Sequence, residues 1–189
     1  MAGKLDDLDQ QIIHHLQNDG RVPLTELAEK VRASRQTVAN RLKRLLDEKL
    51  IVIKGGLNLE KYNLKMACVG LEVTNENARR GMEQFLKVCP RVAAFFRTPE
   101  KANMHLEVWG ENDQTLASTI ESFRDLTNVA IVYTHYLGTP IHGTMMIPVP
   151  PPQRSEPPCG KSCSDCYRYA NEWCLGCPIS PDYKNLLLG

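Results

Sequence analysis

Five of the chain's seven cysteines fall within twenty residues, "CGKSCSDCYRYANEWCLGCP", as Cys159, Cys163, Cys166, Cys174 and Cys177. The spacing C-x3-C-x2-C-x7-C-x2-C-P holds two Cys-x2-Cys pairs, and each such pair can bend two thiolates around one metal. For zinc, Cys163, Cys166, Cys174 and Cys177 would close a four-sulfur site and leave Cys159 spare. The seven residues between the pairs are fewer than the roughly 15 to 20 usual in zinc ribbons. For an iron-sulfur cluster, Cys159, Cys163 and Cys166 would hold three irons and Cys174 or Cys177 the fourth, with Tyr167, Tyr169 and Trp173 as shield. Zinc is the first expectation and iron-sulfur the alternative. A disulfide pair is disfavoured where thiols are kept reduced, except as a redox sensor. A segment of about thirty residues buries too little apolar surface to fold alone, so metal binding would supply its folding free energy. The ion either staples the segment or reports metal or redox state.

A second set of residues suits nucleic acid. The whole chain has a net charge of only +1, yet Arg32, Arg35, Arg41, Lys43, Arg44, Lys49 and Lys54 face only Asp47 and Glu48, seven against two, about +5 between residues 32 and 54. Ser34 is a good N-cap for a helix "RQTVANRLKRLLDEK" with Val38, Leu42, Leu45 and Leu46 turned inward. Its outer face then presents Ser34, Arg35, Gln36, Thr37, Asn40, Arg41 and Arg44. Arginine can pair with guanine edges, asparagine and glutamine with adenine, and the remainder can hold phosphates.

These residues need elements to position them. Leu8, Ile12, Ile13 and Leu16 share one helical face that ends at Gly20, and Leu24, Leu27, Ala28 and Val31 form the apolar side of a helix opening at Pro23. With the basic helix they make a helix-turn-helix, and "LIVIKGGLNLE" reads as a two-stranded wing turning at Gly55 and Gly56. From "MACVGLEV" to "VAIVYTHYL" the pattern is βαββαβ, a ferredoxin-like sandwich with both helices on one sheet face. The other face is expected to be polar or covered by a second subunit. "PVPPPQRSEPP" is an extended spacer. The expected fold class is α+β: a winged helix-turn-helix over 1–62, a dimerisation and effector domain over 63–147, a linker over 148–158 and a cysteine-rich tail over 159–189. His105, His135 and His142 read as ordinary surface or core residues, and Cys68 and Cys89 as small core residues. Apolar residues make up 42% of the chain, enough for a real core, and no run approaches the 18 or so that a membrane span needs. Without a secretory pattern at the start, the expected location is the cytoplasm.

The run "LDDLDQQIIHHLQNDGRVPLTELAEKVRASRQTVANRLKRLLDEKLI" and the following "GGLNLEKYNL" resemble the Lrp/AsnC family of feast-or-famine transcriptional regulators, and the resemblance spans about residues 5–147. It implies a regulator of double-stranded DNA that acts as a homodimer and can build octamers, with small effectors such as amino acids bound between dimers. Carried over by position, Gln36, Thr37 and Asn40 would meet base edges and Arg35, Arg41 and Arg44 phosphate. The stretch "RTPEKANMHLEV" departs from the family's amino-acid-binding turn, with Asn103 near the place of an aspartate, a weaker acceptor for an α-amino group. Asn128 stands where the family has glycine, and asparagine also tolerates a left-handed turn. An enzyme is the rival class, since haem-pathway decarboxylases resemble the same layout and Arg97 and His105 would serve there; the basic helix argues for the regulator. A third reading has the tail dock a protein partner through its aromatic residues and "YKNLLLG".

Overall fold

The computed structural model describes residues 4–148 and 157–184. The spacer expected at 148–158, apart from Pro148, Pro157 and Pro158, and the "YKNLLLG" segment beyond Lys184 lie outside the described residues. The chain forms two compact units, Met1–Lys54 and Gly55–Gly189. No helix among the described residues is long and apolar enough to cross a membrane.

The first unit is three helices: α1 (Asp7–Asn18), α2 (Leu24–Lys30) and α3 (Arg35–Asp47). Asp6 opens α1 through a capping box, accepting from the Asp9 amide at 2.9 Å while the Asp9 carboxylate accepts from the Asp6 amide at 3.2 Å. Ser34 caps α3 by accepting from the Thr37 amide at 3.1 Å. Ile12, Leu27, Val38 and Leu45 are fully buried at the centre, each worth about 1.5–3 kcal/mol of transfer free energy.

The expected wing does not form. Residues 52–56 have no regular structure, and β1 (Leu57–Asn58) pairs with β6 (Met146–Ile147) in the second unit. Gly56 explains the pairing: a side chain there would begin 2.8 Å from the Ile147 carbonyl oxygen. The glycine admits a neighbouring strand instead of turning a hairpin. The unit boundary accordingly falls at Lys54–Gly55 rather than at residue 62.

The second unit holds the expected order: β2 (Lys65–Val73), α4 (Glu76–Val88), β3 (Val92–Arg97), β4 (Met104–Gly110), α5 (Asp113–Arg124) and β5 (Val129–Leu137). The sheet runs β3-β4-β2-β5, every pair antiparallel. Ala67, Val69, Leu71, Leu106 and Val108 meet Met82, Leu86, Leu116, Ile120 and Phe123 in one core, as alternation in strands and 3.6-residue spacing in helices require. Asn128 takes φ 62°, the left-handed turn into β5. After residue 157 come a short 3-10 turn (Cys163–Asp165) and α6 (Tyr167–Ala170).

Candidate functional site

Helix α3 presents Ser34, Arg35, Gln36, Thr37 and Asn40 to solvent, whereas Arg41 and Arg44 are partly buried. The Gln36 amide donates to Asn40 Oδ1 at 3.0 Å, and the Ser34 and Thr37 hydroxyls are 2.8 Å apart. The two arginines turn back toward α1. Arg41 donates to Asp6 at 2.5 Å and approaches Asp9 at 3.5 Å, and Arg44 donates to Asp9. The Asp9 side chain is fully buried, and a buried carboxylate demands a paired charge. Arg41 and Arg44, read as phosphate contacts, brace α1 against α3 in the structure. The Asp9 hydrogen bond holds the Arg44 guanidinium above its ordinary pKa. Arg41 likewise contributes to holding the Asp6 carboxyl below its ordinary range, after the larger effect of the Asp9 amide.

The cysteines of the tail do not converge on one point. Among the described residues no group of three or more His, Cys, Asp or Glu is placed to hold one ion, so the four-thiol set Cys163, Cys166, Cys174 and Cys177 is not drawn together in the structure. None of the seven cysteines is bridged. Instead all five tail cysteines line a single cavity of about 70 Å³, and Cys89 at the C-cap of α4 joins them as the sixth. Phe85 of α4 and Ser118, Thr119 and Ser122 of α5 also line it. Burial pushes the Cys89 and Cys174 thiols up and Cys177 up to about 12. As free thiols they are neutral and poor nucleophiles.

Nor does the tail stand apart from the sheet and its helices. Arg91, just before β3, is buried and donates to Glu111 at 2.5 Å and to the Gly176 carbonyl at 2.7 Å. Tyr183 donates to the other Glu111 oxygen. The Arg91 guanidinium lies 5.4 Å from the centre of the Trp109 ring and 5.9 Å from that of Tyr183. Asp125, after α5, accepts from Lys161 and Arg168 at 3.0 Å each. Metal is thus not the tail's sole source of folding free energy, as its length alone suggested.

In the regulatory sheet, the Asn103 side chain accepts from the Val73 amide and donates to the Val73 carbonyl, both at 3.0 Å. It extends the β2–β4 ladder. Arg97 forks onto Glu83 at 2.6 and 2.8 Å, and His105 bonds the Tyr133 hydroxyl at 2.8 Å, so both residues of the enzyme reading are engaged in the fold. His135 stacks on Tyr133 at 4.9 Å, whereas His142 is exposed on a loop.

The family model of the AsnC-type helix-turn-helix domain matches residues 5–46. The first unit is a helix-turn-helix domain. The HTH-type transcriptional regulator FL11 of Pyrococcus furiosus is 26% identical over 137 residues, 71% of this chain and 89% of that regulator. The fold is shared with a transcriptional regulator of Neisseria meningitidis solved with L-methionine (22% identity, 77% of this chain and 97% of that one, TM-score 0.65). It is shared equally with LrpC of B. subtilis (22% identity, 74% and 99%, TM-score 0.64). A feast or famine regulatory protein of M. tuberculosis complexed with L-methionine matches as well (22% identity, 77% and 100%, TM-score 0.63). These structures are covered almost end to end, so about a quarter of this chain has no counterpart in them.

Two features of the chain escape a sequence reading. Asp9 looks like one of several surface acids in "LDDLDQQ", and only its place among Leu8, Ile12 and Ile13 hints that it is buried. Cys89 follows the apolar side of α4, which is also what a plain core cysteine would do. Its partners lie far along the chain, and no local pattern announces them.

Proposed function

We propose that the protein is a sequence-specific DNA-binding transcriptional regulator of Lrp/AsnC type. The observation that carries this reading is the capped helix α3, which presents Arg35, Gln36, Thr37 and Asn40 as a continuous exposed polar face while the Asp9–Arg44 pair fixes its seat on α1. Gln36, Thr37 and Asn40 read base edges in the major groove and Arg35 holds phosphate. Two subunits joined through the helix-free sheet face, where Phe96, His105, Tyr133 and His135 form an aromatic row, present two such helices to a roughly palindromic site. The cysteine segment holds a metal, and its state of loading or oxidation changes DNA affinity. The six thiols around one cavity support this part of the reading.

The test is a mobility shift with a random-sequence duplex pool, followed by sequencing of the retained fraction. Enrichment of a two-fold symmetric sequence is expected, and absence of retention even at low salt overturns the regulator. Binding of the enriched duplex before and after chelation tests the sensing arm. Equal affinity in the two states removes sensing and leaves DNA reading intact.

A further inference from the structure

Resting on the reading that the cysteine segment holds a metal, the geometry points to a polynuclear iron-sulfur cluster in the six-cysteine cavity, with Cys89 of the regulatory domain among its ligands beside tail cysteines. Four features carry this.

The first is size. Four thiolates about 2.3 Å from one zinc crowd to within about 4 Å of each other, and no three ligand-type side chains among the described residues stand in such a group. The thiols surround a cavity of about 70 Å³ instead, several times the roughly 10–15 Å³ that one water-sized sphere occupies. An iron-sulfur core places its own atoms between the ligands and holds thiolates farther apart.

The second is the ligand set. The cavity is lined by Cys89, Cys159, Cys163, Cys166, Cys174 and Cys177. Cys159 is the exposed member, its thiol directed at the Lys161 carbonyl at 4.0 Å. Cys89 lies deeper, between Phe85 and Arg91, and is the better placed of the two to complete a ligand set shielded from water.

The third is an orphaned donor. Ser118 of α5 lines the same cavity, is 8% exposed, and its hydroxyl has no partner among the described residues. A buried hydroxyl without a partner is costly, and the sulfides and thiolates of a cluster accept hydrogen bonds that tune its potential.

The fourth is charge. Arg91, Lys161 and Arg168 line the cavity, while the carboxylates that pair with them, Glu111 and Asp125, lie outside its lining, and no carboxylate among the described residues lines it. That lining suits an assembly whose thiolates leave it anionic, and it is the wrong one for a hard cation that seeks carboxylate oxygen.

The cluster so placed is a joint. It ties α4 and α5 to the tail, so its loss loosens the packing of the tail on the regulatory domain.

The full chain is purified without oxygen, reconstituted with ferrous iron and sulfide, and assayed for iron, acid-labile sulfide, zinc and the paramagnetic resonance of the reduced state. Near-equal iron and sulfide with broad visible absorption is expected. One zinc per chain with no sulfide after reconstitution overturns the cluster. Cys89→Ser is expected to lose at least half of the iron or to change the resonance, and Cys68→Ser, on the sheet, to do neither. A Cys89→Ser protein matching the parent in both readouts overturns Cys89 as ligand. Ser118→Ala keeps every thiol and is expected to lower the midpoint potential, because a hydrogen bond to sulfur is removed; an unchanged midpoint overturns the placement against α5. Duplex binding measured on the same samples separates the two readings. A loaded cluster with no DNA binding sinks the regulator alone, and DNA binding with no cluster sinks this inference alone.

Discussion

Arg41 and Arg44 show why identity and spacing do not fix a residue's task. Both occupy helix positions from which phosphate can be reached, but the nearest uncompensated charge is the buried carboxylate of Asp9, and a buried ion commands its partner first. Arg35, about two turns earlier, is exposed and engages no carboxylate among the described residues. The two arginine types should therefore separate in experiment. Arg35→Ala is expected to leave the melting temperature unchanged and to reduce the salt dependence of duplex binding by about one unit of slope. Arg44→Ala is expected to lower the melting temperature and lose affinity together, recorded by calorimetry and fluorescence anisotropy. Unchanged melting of Arg44→Ala would show that the brace contributes nothing.

At the level of elements, most of what holds the site was readable. Period-two alternation marked the four strands of the sheet, apolar spacing of three and four marked α1 to α5, and Ser34 marked the start of α3 because a hydroxyl at that place satisfies an amide the helix cannot. Replacing Ser34 with alanine is expected to cost about 1 kcal/mol, measured by urea denaturation, with a matching loss of DNA affinity since Arg35, Gln36 and Thr37 sit in the turn it caps. What the pattern misrepresented was pairing. The two glycines at 55 and 56 resemble a hairpin turn, yet strand partners are chosen by the whole fold, and Leu57–Asn58 found Met146–Ile147. The two-residue segments involved are too short for their own alternation to declare a register. The cysteine spacing reads as a metal-ligand pattern, but the cavity these residues share with Cys89 rests on contacts between distant segments that spacing does not encode.

For the molecule as a whole, the attachment of the tail is partly electrostatic and should respond to acid. Hydrogen bonds from Arg168 and then Lys161 hold the Asp125 carboxyl below its ordinary range. A carboxyl whose folded pKa is depressed contributes its full stabilisation above the unfolded value of about 3.9 and loses it as pH falls through the folded value. Tail docking is thus expected to be constant from neutral pH down to about pH 5 and to weaken below about pH 4, seen as faster cleavage after Lys161 and Arg168 by an acid-tolerant protease. Asp125→Asn should flatten that response while leaving neutral behaviour little changed, because the site is half exposed and its ion pairs are screened.

The seat of Arg91 between Trp109 and Tyr183, with Glu111 beneath it, has a bearing on modularity. A donor segment transplanted from residues 157–184 onto another regulator would bring five sulfurs but neither the sixth nor the guanidinium that grips Gly176. A recipient without counterparts of Cys89, Arg91 and Glu111 would offer such an appendage neither a sixth sulfur nor the buried ion pair that receives it.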